Sequence, residues 1–260
     1  MHPTLISLGG YQLSTYGLAV AGAYLAGILW LKGQSAAMGL DEQKFWRLIY
    51  CLFFGAVLGG KLMFWAVSYR ELWDGRLRLL ADIRYGFVFF GGLIGALAMG
   101  WAAKLWLRFE YMPLADYFAV ALSWGQAIGR LGCLGAGCCY GRPTELPWGL
   151  IEGRPGSAVP MELWGVPLHP TQLYEALADA GIGLGLWLWL LPLAQRRRIV
   201  PGTVFMAYVV CYGAVRFLIE FLRYDDRGAS LPPFSISQWL ALAGIAAAAM
   251  AMWRRGVKAR

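Results

Sequence analysis

Long apolar stretches, each matching the ~20 residues that a helix needs to cross the bilayer core, recur along this 260-residue chain between short charged breaks. A water-soluble fold of this size has no interior large enough to hide them, with 59% of residues hydrophobic and only 15% charged. The stretches lie at residues 14–31, 46–67, 86–107, 114–134, 170–193, 203–222 and 234–253. They predict an all-α, polytopic membrane protein of about seven transmembrane helices. Together they use up the chain, so one transmembrane domain, 1–260, is expected, with an N-terminal arm (1–13) and a loop (142–169) outside the membrane. The arm alternates apolar and polar residues, which suits an amphipathic segment at the interface or an unstructured tail. The loop contains five prolines and cannot be one regular helix. No basic region precedes the first stretch and no small-residue cleavage site follows it, so it reads as a retained helix.

The formal charge of +8 would suggest nucleic acid in a soluble protein. Here the basic residues sit mostly in short loops and at the C-terminus, so anionic lipid is the expected partner and nucleic acid is not. Alternate loops divide the charge unequally. The set formed by 32–47, Lys104 and Arg108, Arg196 to Arg198 and the C-terminal tail carries twelve Lys or Arg, and the set around 70–84, 142–154 and 223–227 carries eight. The excess puts the N-terminus outside, the C-terminus in the cytoplasm and the 142–169 loop outside.

Arg130 and Arg216 stand inside apolar stretches, where lipid tolerates a cation only with an anionic answer. Arg130 follows an apolar run in the fourth stretch, flanked by Gly125, Gly129, Gly132, Gly135, Gly137 and Gly141. Its planar fork fits a pair of phosphate oxygens, with glycine backbone N–H groups free to approach the same anion. A carboxylate on another helix would answer it equally well. In the sixth stretch Tyr212, Arg216, Glu220 and Arg223 are spaced four, four and three, so one helix face carries all of them toward the bundle interior. Glu220 can neutralise Arg216 or Arg130, and the pair is either a ligand clamp or a lock between helices. His169 heads His169-Pro170-Thr171-Gln172-Leu173-Tyr174-Glu175, where an imidazole serves as a base or as a structural donor. Cys133, Cys138 and Cys139 are thiols of a kind that ligates zinc, but C-x4-C-C matches no ordinary zinc knuckle. Reactive thiols are the alternative reading, and neither a metal nor a cofactor is expected. Cys51 and Cys211 lie in apolar stretches where packing accounts for them.

Gly129-Arg130-Leu131-Gly132, Gly137, Gly141-Arg142, His169-Pro170 through Glu175, and Tyr212-Gly213-Ala214-Val215-Arg216 through Arg223 resemble the prolipoprotein diacylglyceryl transferase family. So do Tyr16-Gly17, Leu58-Gly59-Gly60-Lys61 and Gly91-Gly92-Leu93-Ile94-Gly95, and the resemblance runs in order over nearly the whole chain. It implies seven helices in the bacterial inner membrane, an external N-terminus, and transfer of diacylglyceryl from phosphatidylglycerol to the lipobox cysteine of a prolipoprotein, which presents it on a signal peptide. It also implies that Arg130 and Arg216 hold the lipid phosphate, and that Tyr16, Gly141, His169, Tyr212, Glu220 and Arg223 belong to the site. Arg142 is taken with them as substrate-binding.

The chain departs from that family at three places. Phe90-Gly91-Gly92 stands where the family usually has His-Gly-Gly, and Cys133 and Cys138 stand where it has asparagine and glutamate. Phenylalanine takes no proton from a thiol, so the expected catalytic set is His169, Arg130, Arg216 and Glu220. The alternative readings are a divergent homologue acting on another acceptor or headgroup, with one of the three cysteines as nucleophile, and a non-catalytic lipid-binding or transport protein.

Overall fold

A computed structural model of the chain describes residues 4–8, 11–75, 86–225 and 230–258. Arg76, Arg78, Arg84, Arg227 and Arg260, which enter the loop charges, and part of the N-terminal arm lie outside the described residues. In chain order the elements are β1 (Thr4–Leu8), β2 (Tyr11–Ser14), α1 (Thr15–Gly33), α2 (Glu42–Val67), the short α3 (Tyr69–Trp73), α4 (Phe89–Leu107), α5 (Tyr111–Ala136), β3 (Leu150–Ile151) and β4 (Pro167–Leu168). There follow α6 (Thr171–Gly185), a π-helical turn (Leu186–Leu190), α7 (Leu191–Gln195), α8 (Thr203–Ile219), β5 (Ser230–Leu231), β6 (Phe234–Ser235) and α9 (Ile236–Lys258).

Six helical stretches among the described residues are long and apolar enough to cross a membrane: Thr15–Gly33, Glu42–Val67, Phe89–Leu107, Thr171–Gln195, Thr203–Leu222 and Ile236–Arg255. The chain is therefore a multi-pass, all-α membrane protein. The seventh expected span is α5, whose 26 residues give ample length at about 1.5 Å per residue. It is more polar than the other six because it carries Asp116, Ser123, Gln126 and Arg130.

The chain divides into two compact units, one of Met1–Leu31 with Met112–Arg260 and one of Lys32–Tyr111. In the second unit, α2 is capped by Asp41, whose carboxylate accepts the Lys44 N–H at 2.8 Å. It packs mainly against α4. Gly55 and Gly59 of α2 face Gly91 and Gly95 of α4 so closely that a Cβ at Gly55 would sit 2.5 Å from the Gly95 carbonyl oxygen. Without a hydrophobic drive between helices in lipid, this backbone approach is what holds the pair. Phe90, the second residue of α4, is exposed and edge-to-face with Phe89.

In the first unit, β1 and β2 form an antiparallel hairpin with Leu8 opposite Tyr11, so part of the N-terminal arm is strand, in keeping with its two-residue alternation. The Ser14 hydroxyl then accepts the Gly17 N–H at 3.0 Å and starts α1. Helix α1 runs antiparallel along α5, with Gly27 near Ala121 and Gly135 against Thr15. Helix α8 begins after Gly202 without a capping side chain of its own. Asp116 of α5 supplies the cap from outside, accepting the N–H groups of Gly202 at 2.7 Å and Phe205 at 2.9 Å. The π turn has a cause in Pro192, whose ring would strike the Leu188 carbonyl in a regular helix.

Candidate active site

Four chain segments converge at one end of the first unit: the start of α1, the end of α5, the start of α6 and the end of α8. Glu175, on α6 and 2% exposed, is the meeting point of the last three. The Nε of Arg130, from α5, pairs with its Oε2. Arg216 Nη1, from α8, reaches its Oε1 at 3.2 Å, and Arg223 Nη1 reaches the same oxygen at 3.4 Å. One buried carboxylate is thus shared by three guanidinium groups. Two further acids complete the cluster, Glu220 bonding Arg216 Nη2 at 2.6 Å and Asp225 bonding Arg223 Nη2 at 2.7 Å. Ser235, just before α9, donates to Glu220 at 2.8 Å.

Such a cluster is stable in an apolar bundle because each charge is answered. Removing one partner leaves an uncompensated buried charge at a cost of about 3–5 kcal/mol. The three arginines do not have equal reserves. Arg216 and Arg223 are 9% and 3% exposed in their side chains and each spends its fork on two acids, whereas Arg130 is 18% exposed and meets Glu175 through Nε. Its Nη1 lies 4.0 Å from Cys139 Sγ, so its paired Nη donors are the ones best able to meet a phosphate.

The expected helix face on α8 needs one correction. The helix ends at Ile219, a 3-10 turn covers Glu220–Leu222, and Arg223 is extended, with ψ at 153°. Arg223 reaches Glu175 because that turn redirects the chain, not because the α-helical repeat continues. Tyr212 stacks on Tyr208 at 5.7 Å between ring centres, close enough to Arg130 and Arg216 to feel their charge. The Tyr208 hydroxyl donates to Gln126 of α5 at 2.8 Å.

The polar loop after α5 forms a small folded cap. Its backbone is stitched by Gly141 N–H to the His169 carbonyl (3.1 Å), His169 N–H to the Arg142 carbonyl (2.9 Å), Arg142 N–H to the Leu222 carbonyl (2.8 Å) and Tyr224 N–H to the Tyr140 carbonyl (3.2 Å). Tyr140, Val159 and Leu168 form its core with Leu163 and Val166. At Gly141 a Cβ would stand 2.6 Å from the His169 Cβ and 2.9 Å from Thr171 Cγ2, so only glycine lets these two segments touch. Arg142, exposed, donates its Nε to the Arg223 carbonyl at 3.4 Å. Tyr16 begins α1 beside Gly132.

His169 is half-buried in a separate chain of contacts. Its Nδ1 lies 3.4 Å from the Tyr174 hydroxyl, which accepts the Trp148 indole N–H at 2.7 Å. Phe90 belongs to the other unit. Cys133, Cys138 and Cys139 gather at the foot of α5, with all three sulfurs within 4.8 Å of one another. Glu152, wholly buried, accepts the Gln172 amide at 2.7 Å, and desolvation holds its carboxyl up at about 7.

Sequence reasoning missed the hub. Thr171, Gln172, Glu175 and Asp179 are spaced one, three and four on an apolar helix, and all are buried. That polar stripe signals an inward face as clearly as the one on α8.

The family model described as prolipoprotein diacylglyceryl transferase matches residues 3–254. Among curated relatives, a Clostridium tetani protein named phosphatidylglycerol–prolipoprotein diacylglyceryl transferase is 32% identical, with 93% of each chain covered. Proteins of the same name from Geobacter sulfurreducens (33% identical, 92% of this chain and 89% of the relative) and a Nostoc strain (34%, 94% and 86%) are similar over comparable lengths.

Proposed function

The chain belongs to the prolipoprotein diacylglyceryl transferase family and is a membrane transferase, and from that premise we propose how its residues divide the reaction. The donor is phosphatidylglycerol and the acceptor a prolipoprotein, the substrates named for its relatives, and the accepting group is the lipobox cysteine. The acceptor thiol, after losing its proton, attacks the glyceryl carbon of the diacylglyceryl group. A carbon–sulfur bond forms, the carbon–oxygen bond to phosphate breaks, and glycerol phosphate leaves with the electron pair.

The observation that supports this reading best is the convergence of Arg130, Arg216 and Arg223 on Glu175 at one end of apolar helices. Charge develops on the phosphate as the bond breaks, and guanidinium groups already fixed in place stabilise it without reorganising. Arg130 and Arg216 carry that role, Arg223 and Glu220 hold the array, and Tyr16, Gly141, Arg142 and Tyr212 surround the lipid. His169 takes the thiol proton, because Phe90 leaves no acceptor at the usual position and a neutral imidazole has a ring nitrogen that accepts one. The protein lies in the bacterial cytoplasmic membrane with its N-terminus and the 142–169 cap outside, where a prolipoprotein signal peptide arrives. The whole chain, 1–260, acts as one transferase domain.

The test is release of glycerol phosphate from phosphatidylglycerol by purified protein in the presence and absence of a lipobox peptide. Release that requires the peptide thiol, and that His169→Asn abolishes while lipid binding persists, is expected. Release without the peptide would transfer the reading to another acceptor, and full activity in His169→Asn would remove the histidine from it.

A further inference from the structure

Cys133, Cys138 and Cys139 are unremarkable by spacing, yet the fold makes one feature of them. Cys133 lies in the last turn of α5, and Gly137 turns the chain back through a left-handed conformation (φ 68°). Cys139 is itself left-handed (φ 64°), a conformation that a residue with a Cβ adopts only when its surroundings impose it. The surroundings that impose it come from α6. Thr171 Oγ1 donates to the Cys139 carbonyl at 2.7 Å, and Gln172 Nε2 donates to the Cys138 carbonyl at 2.8 Å. The Cys138 N–H is held by the Cys133 carbonyl at 3.1 Å. Three thiols are therefore fixed within 4.8 Å of one another by the two helices.

We propose that these three cysteines form a thiolate site for a soft, thiophilic d10 metal ion, of which zinc and cadmium are the practical probes. A metal–sulfur bond of about 2.3 Å places three ligand sulfurs roughly 4 Å apart, a small contraction from the geometry present. Binding removes the thiol protons and leaves a complex of one net negative charge with a divalent ion. Arg130 Nη1, 4.0 Å from Cys139 Sγ, and Arg223, whose charge acts on the same sulfur, provide the positive surroundings that such a complex needs. Cys51 and Cys211 lie on α2 and α8, outside the cluster. The assignment is independent of which lipid the arginines take.

The experiment uses the full chain, purified reduced in detergent and titrated with Cd2+ while the thiolate-to-metal charge-transfer absorption is followed. The expected result is one ion per chain with release of protons, and loss of affinity by at least about tenfold in each of Cys133→Ser, Cys138→Ser and Cys139→Ser. Cys51→Ser and Cys211→Ser should bind as the parent does. Because a serine variant can fail to fold, the parent supplies a second reading. Zn2+ should protect these three cysteines, and not Cys51 or Cys211, from maleimide labelling followed by peptide mass spectrometry. Absence of the absorption band in the parent, protection of a different set, or binding that survives all three substitutions would overturn the proposal.

Discussion

Glu175 carries the account at the scale of single residues. Its two oxygens meet three arginines, so Glu175→Gln leaves cations facing each other in an apolar bundle. Loss of about 3–5 kcal/mol in stability is expected, read as a lower unfolding temperature in detergent, together with loss of turnover. Glu220→Gln should cost less, because Arg216 keeps Glu175 and the Gln oxygen still accepts. Equal stability of parent and Glu175→Gln would show that the arginines are not held by that carboxylate. Glu152 makes a pH-dependent contribution of the opposite kind. Its carboxyl is held at about 7, above its ordinary 4.5, chiefly by desolvation. Below pH 4.5 both the folded and unfolded chains hold the proton, and no difference arises. Between 4.5 and 7 the unfolded chain ionises first, so stability falls as pH rises, and above 7 the full penalty is present. Unfolding temperature measured from pH 5 to 8 should therefore decline more steeply in the parent than in Glu152→Gln. Parallel curves would contradict this.

The helices show why some elements can be read from sequence and others cannot. In lipid a spanning segment must satisfy its own backbone, so apolar length alone gives a helix, and each expected span coincides with one. In the sequence Gly55 and Gly59, like Gly91 and Gly95, stand four apart, a spacing that by itself signals close helix packing in lipid. What was not legible depends on contacts distant in sequence: the cap that Asp116 gives α8, the 3-10 turn that swings Arg223 onto Glu175, and the gathering of three cysteines of unpromising spacing. Glu175 was passed over because it reads as one polar residue near an interface until three helices are seen to meet on it. The glycine contacts give a graded test. At Gly95 a Cβ would stand 2.8 Å from the Gly59 Cα, with backbone on both sides, so Gly95→Ala must push α2 and α4 apart. A loss of about 1–3 kcal/mol is expected. At Gly22 a Cβ meets nothing within 4 Å, and Gly22→Ala should be neutral or stabilise α1 by roughly 0.5–1 kcal/mol. Similar unfolding temperatures for the two variants would remove the backbone-approach argument.

At the scale of the whole molecule, the loop charges and the folded 142–169 cap combine into one expectation about sides. A cysteine placed at Met161, 77% exposed in the cap, in a background without the native thiols, should react with an impermeant maleimide in intact cells. Reaction only after the inner leaflet is breached would reverse the orientation. The central claim is that the arginine cluster serves diacylglyceryl transfer to a thiol. Its most direct test is mass spectrometry of a lipobox peptide incubated with purified protein and phosphatidylglycerol, comparing the parent with Arg130→Gln. The account predicts a diacylglyceryl thioether on the peptide cysteine with the parent and loss of that product, by about 100-fold or more, with Arg130→Gln. A parent that binds the lipid yet never modifies the peptide, or an Arg130→Gln variant that modifies it at the parental rate, would contradict it.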